Sequence, residues 1–161
     1  MFNFYILFLL FLPCITSHIY ICSPTNGNIQ LNSKLNFKVN YPFIANTTIP
    51  TLNCTSSTLF TSPTFTSITI LTNSYGKCPL TLNQIESKII IQLNNLSNYG
   101  NGILTIKDYD FNFKGKIKEG EQNGNIINIQ SKIINDKNEL FNNCLHGGLF
   151  KFKLKVNNVL F

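Results

Sequence analysis

The sequence predicts an all-β domain, an antiparallel two-sheet sandwich of the immunoglobulin-like kind, held by disulfides. Three observations lead there: segments whose apolar residues recur at every second position, turn residues between those segments, and four cysteines downstream of an apolar leader. Two-residue periodicity puts alternate side chains on opposite faces of a strand, and a row of such strands needs a second layer to bury its apolar face. Six to eight short strands are expected, in two sheets about 10 Å apart.

The chain opens MFNFYILFLLFLPCITS, an apolar run over Phe4–Leu12 closed by Pro13 and by the small or polar Thr16 and Ser17. A spanning helix needs about 20 apolar residues, and this run is about half as long, so 1–17 reads as a secretory signal peptide cleaved after Ser17. The expected product is a secreted, extracellular, monomeric domain over 18–161. Cleavage removes Cys14 and leaves Cys22, Cys54, Cys78 and Cys144, an even number that predicts two disulfides in any of three pairings. Their wide spacing, without a C-x-x-C or a histidine at ligand distance, gives no metal site. Asn46, Asn53 and Asn95 each begin an N-x-[ST] acceptor for glycosylation.

Taken in order, Leu35, Phe37, Val39 and Tyr41 alternate with polar residues and predict a first strand ended by Pro42. The Thr- and Ser-rich stretch 47–72 is rich in β-branched residues and predicts one or two strands, most clearly Phe65–Leu71. Lys88–Leu93 is an apolar run of strand length, followed by a turn at Asn98–Gly102. Leu104–Lys118 forms one long alternation, with Tyr109, Phe111 and Phe113 facing one way. Glu119–Gly124 is a turn, Asn125–Ile134 a strand with Ile127, Ile129 and Ile133 on one face, and Asn135–Lys137 a turn. In the last strand Phe150, Phe152, Leu154 and Val156 alternate with Lys151, Lys153 and Lys155, which form its solvent face or protect a sheet edge. No helix is predicted.

Catalytic machinery is not legible. A nucleophile triad would rest on His146 alone, and G-x-S-x-G, HExxH and Gly-rich phosphate loops are lacking. The acid pairs Asp108/Asp110 and Glu119/Glu121 read as solvated strand and turn residues, and Gly147-Gly148 as a tight turn. The formal net charge of +6 comes from lysine alone, whereas nucleic-acid recognition uses arginine and exposed aromatics, so no nucleic-acid partner is expected. No cofactor is implied.

Phe and Ile fill the inward positions of nearly every strand. They either pack a closed core or line an apolar cavity, and periodicity is the same in both cases. A resemblance favours the second. Cys22 soon after the leader, Lys77-Cys78-Pro79-Leu80 before a strand, and a glycine-strand-turn-Cys pattern ending at Cys144 resemble the secreted ML lipid-recognition domain family. The resemblance covers the whole mature chain. It implies Cys22–Cys144 and Cys54–Cys78 bridges and a non-catalytic domain that holds a lipid or sterol between two sheets. The expected lining is Phe37, Val39, Ile70, Ile89, Ile91, Phe111, Phe113, Ile129, Phe150 and Phe152. A membrane surface or receptor is a further partner the lysines could meet. The alternative is an extracellular protein-interaction module with a filled core.

Overall fold

The computed structural model describes residues 20–22, 25–56, 64–93 and 95–160. The expected leader over 1–17 lies outside them. Long β-branched and aromatic runs form the strands β1 (Tyr20–Cys22), β2 (Thr25–Leu35), β3 (Tyr41–Ser56), β4 (Thr64–Gly76), β5 (Leu82–Leu93), β6 (Leu96–Lys107), β7 (Asp110–Glu119), β8 (Ile126–Ile133) and β9 (Leu149–Leu160), with one helix, α1 (Lys137–His146), before the last.

The all-β expectation holds, but the predicted two-sheet sandwich gives way to one closed sheet. Every strand from β2 to β9 pairs antiparallel with its neighbour in sequence, and β9 returns to pair with β2. The result is an eight-stranded up-and-down barrel. β1 extends the line of β2, since Cys22 stands opposite Val159 and Thr25 opposite Val156 in one continuous register. Sandwich and barrel share the same alternation of inward and outward residues; what distinguishes them is the unbroken pairing from β2 through β9 together with the β2–β9 closure. Closure leaves the ring without a free edge, so the lysines of β9 are a solvent face and guard no edge.

An eight-stranded barrel is just wide enough for its side chains to fill it or to admit one small ligand. Here they fill it. Phe111, Phe113, Ile49, Ile68, Ile70, Ile89 and Ile91 are among the largest fully buried side chains. Phe113 fits because its neighbours are glycines. Gly102 and Gly115 face each other across β6 and β7, and a Cβ on either would stand 2.5 or 2.8 Å from the Phe113 ring. Ser87, Thr72 and Ala45 continue this row of small inner residues through β5, β4 and β3. The Thr72 and Ser87 hydroxyls hydrogen-bond at 2.8 Å. Among the described residues the lysines and, apart from the buried Asn98, the asparagines and glutamines lie outside or part-exposed, the reverse of a barrel whose outer wall faces lipid.

Several predicted boundaries are corrected. Leu35–Tyr41 is no strand: β2 ends at Leu35, and 36–40 connect it to β3, where Pro42 pairs with Tyr75. Asn36 causes this, because its side-chain oxygen accepts the backbone N–H groups of Lys38 and Val39, an Asx turn that competes with strand pairing. Asn98–Gly102 is strand, and its glycine at 100 answers to close packing, since the Lys116 carbonyl of β7 occupies the place a Cβ at Gly100 would take. The alternation over Leu104–Lys118 is cut by a hairpin at Asp108 and Tyr109, whose φ angles of 51° and 71° are those of a two-residue type I′ turn. Asn135–Lys137 leads into α1, the helix the sequence reading lacks.

Candidate functional site at the helix-covered mouth

The four connections at one end of the barrel converge. Following β2, residues 36–40 carry Phe37, held by the Asn36 turn. Following β4, Cys78-Pro79-Leu80 crosses the opening, and the Cys78 N–H donates to the Asn36 carbonyl at 3.0 Å. The Asp108-Tyr109 hairpin joins them: the Tyr109 carbonyl accepts the Ile133 N–H at 2.8 Å, which fixes the end of β8.

The fourth connection contains α1. Asp136 caps it by accepting the N–H groups of Asn138 and Glu139 at 2.8 and 3.0 Å, satisfying donors that have no partner within the helix. Leu140 and Cys144, one turn apart, form its buried face. The Gly147 N–H bonds the Asn143 carbonyl at 3.0 Å, and Gly148, at φ 75°, turns the chain into β9. Three contacts fix the helix over the opening: the Cys78–Cys144 disulfide, an edge-on contact between the Phe37 and Phe141 rings 5.5 Å apart, and Lys137, whose ammonium lies 5.3 Å from the Tyr109 ring centroid.

Between helix and barrel lies a cavity of about 370 Å³, a size typical of small-ligand sites. Ile133, Leu149 and Phe152 supply its barrel side; Leu140, Phe141 and Cys144 its helix side; Phe37, Leu80 and Tyr109 its walls. Asp108, Lys137, Asn138 and Thr81 give it a polar border. A larger hollow of about 710 Å³ lies on the outer wall of β3–β7, where Ile44, Leu71 and Ile103 mix with Glu86, Lys88 and Lys118. It lacks the continuous apolar lining of the mouth.

Of the ten expected lining residues, Ile70, Ile89, Ile91, Phe111, Phe113, Ile129 and Phe152 point inward and are buried. Phe152 alone of these also reaches the mouth cavity, where Phe37 joins it. Val39 and Phe150 are corrected to the outside, 48% and 45% exposed. Val39 follows the Asn36 turn, and Phe150 stands on the outer wall with the Lys34 ammonium 5.9 Å from its ring centroid. Tyr109 and Ile133, which periodicity placed on apolar strand faces but not among the expected lining, also line it, and Leu80, Leu140, Phe141 and Leu149 are lining residues that strand periodicity did not find.

The four cysteines form two bridges, but with other partners than the resemblance implies: Cys22 with Cys54, and Cys78 with Cys144. Cys22 and Cys54 are register partners on β1 and β3, so that pairing follows from the sheet. Asn46 is exposed on the outer face of β3, and Asn95 at the β5–β6 tip has a φ of 68°. The backbone of Asn53 pairs with Thr64. His146 ends α1 and is exposed, as are Asp108, Asp110, Glu119 and Glu121. Among the described residues no cluster of three or more His, Cys, Asp or Glu is placed to hold a metal.

Fold and site define a closed antiparallel barrel with a filled interior and a disulfide-tethered helix over one mouth. Comparison with protein-family models, with curated proteins and with solved structures returned no match.

Proposed function

We propose that this is a secreted, non-catalytic binding protein for a small apolar or amphipathic molecule, such as a single acyl chain, held at the mouth of the barrel beneath α1. The observation that carries the reading is the cavity of about 370 Å³ with a continuous apolar lining and a charged border. Burial of hydrocarbon is worth about 0.8 kcal/mol per methylene, so about six methylenes would contribute roughly 5 kcal/mol before the costs of association. Lys137 at the border suits a carboxylate head group. Two disulfides are compatible with an extracellular protein.

The test is extraction of the protein, secreted by a eukaryotic host, with organic solvent, followed by mass spectrometry and titration with a fluorescent fatty acid. Saturable binding at one site, or a co-purifying lipid, supports the reading. Repeated absence of both contradicts it. A second reading, an extracellular protein-interaction module, is favoured by the filled interior, because packing by Phe111 and Phe113 leaves the outer wall and loops as the other surfaces for function. Capture of a protein partner that survives alteration of the mouth would favour it.

A further inference from the structure

Along the outer wall β2 and β9 run side by side with Asn26 opposite Lys155, Asn28 opposite Lys153 and Gln30 opposite Lys151. Three successive rungs therefore each pair a carboxamide with an ammonium. On an antiparallel strand, residues two apart are about 6.8 Å from one another, so the three lysines spread over roughly 14 Å. All three are exposed, as are Asn26 and Gln30, and Asn28 is half-buried. The rungs carry no carboxylate. On the far side of β9, Lys132 stands opposite Lys155, with Asp110 beyond it on β7, and Glu139 of α1 shares a surface hollow with Lys151 and Lys153; these two acids are outnumbered by the four lysines. Like charges directly opposite on neighbouring strands are destabilising, so this ammonium concentration is not explained by stability of the sheet.

We propose that the β2–β9 face binds a linear anionic polysaccharide, one bearing sulfate or carboxylate groups along its length. Charge complementarity sets the sign of the partner. The carboxamides set its class, since Asn and Gln both donate and accept hydrogen bonds and suit a chain that presents hydroxyls between its charges. A membrane surface is engaged by apolar or aromatic side chains inserted beside the cations; the six residues of the rungs include none, and the exposed Phe150 and Ile134 adjoin only the Lys151–Lys153 end of the face. Nucleic acid calls for arginine forks or a series of stacking aromatics; the chain has no arginine, and Phe150, the aromatic beside Lys151, has its ring under the Lys34 ammonium. The face lies on the side wall of the barrel; its Lys151–Lys153 end adjoins α1, and its Asn26–Lys155 end lies away from the mouth.

The experiment measures binding of the intact secreted protein to heparin, used as the sulfated probe, by calorimetry across a salt series. Two triple variants remove the same charge: Lys151→Gln/Lys153→Gln/Lys155→Gln on β9 and Lys114→Gln/Lys116→Gln/Lys118→Gln on β7. The β9 triple is expected to weaken binding at least tenfold and to flatten the salt dependence, and the β7 triple to weaken it less than threefold. An uncharged test, Asn26→Ala with Gln30→Ala, is expected to weaken binding about threefold with an unchanged salt slope. Equal losses in the two triples would reduce the effect to net charge and overturn the proposal, as would no saturable binding by the unaltered protein. Phosphatidylcholine vesicles with phosphatidylserine form the parallel arm. Binding to them that is tighter than to heparin and equally sensitive to the β9 triple would reassign the face to membranes.

Discussion

The two disulfides show how differently the two ends of this barrel are built. At one end Cys22–Cys54 joins residues that already oppose each other in the sheet, so the bridge reinforces a register that hydrogen bonds also define. At the other end Cys78–Cys144 joins a connecting loop to α1, a helix with just two buried side chains, Leu140 and Cys144. Strand pairing holds the first end; a covalent tether and a few side-chain contacts hold the second. The apolar mouth cavity lies at the second end, while the barrel between the two ends is filled by its own phenylalanines and isoleucines.

The contrast between filled barrel and covered mouth can be broken at several points. Phe113→Ala is expected to have the largest effect, about 3–5 kcal/mol of stability lost to a cavity beside Gly102 and Gly115, read by denaturant unfolding. Its outer counterpart Phe150→Ala should change stability by less than about 0.5 kcal/mol. Replacing Cys78 and Cys144 together with serine removes a bridge of sequence separation 66, worth about 4 kcal/mol in the chain-entropy model, and should abolish uptake of a fluorescent fatty acid. The Cys22→Ser/Cys54→Ser protein should lose stability but retain uptake in the folded fraction. If both pairs affect uptake alike, the two ends are not functionally distinct.

Smaller changes sharpen the same comparison. Asp136→Ala removes the cap of α1 and should cost about 1 kcal/mol, with fatty-acid affinity falling more than global stability because the helix forms one side of the cavity. Thr47→Val acts in the barrel instead, where the Thr47 hydroxyl is buried without a hydrogen-bond partner. An apolar replacement of similar shape should raise stability by roughly 1 kcal/mol, measured as a higher unfolding midpoint, and leave fatty-acid affinity unchanged.

What was legible in the sequence divides along the same line. Ile127, Ile129 and Ile133 on one face of β8, and Phe152, Leu154 and Val156 against Lys151, Lys153 and Lys155, were readable because a strand records its two faces in alternate residues. Closure was not, since the β2–β9 pairing joins segments far apart in sequence and leaves the alternation of each unchanged. The mouth was less legible still. Its walls come from turns, where Asn36 and the Asp108-Tyr109 hairpin interrupt patterns that otherwise read as continuous strands. The helix did leave a local signal: Asp136 followed three residues later by Glu139 is a capping pattern, and Leu140 and Cys144 are spaced by one turn. Asparagine-rich surroundings of low helix propensity obscured it.

The central claim is that apolar binding belongs to the mouth under α1 and not to the barrel interior. Phe141 lines that mouth yet is 55% exposed, so Phe141→Asp can be made without emptying the core. Titration of the unaltered and Phe141→Asp proteins with the same fluorescent fatty acid is the most direct test. The account predicts saturable binding at one site by the first and at least tenfold weaker binding by the second, with an unfolding midpoint lowered only by the loss of the Phe37–Phe141 contact, a cost of about 1 kcal/mol. Absence of saturable binding by the unaltered protein, or equal affinities for the two, would contradict it.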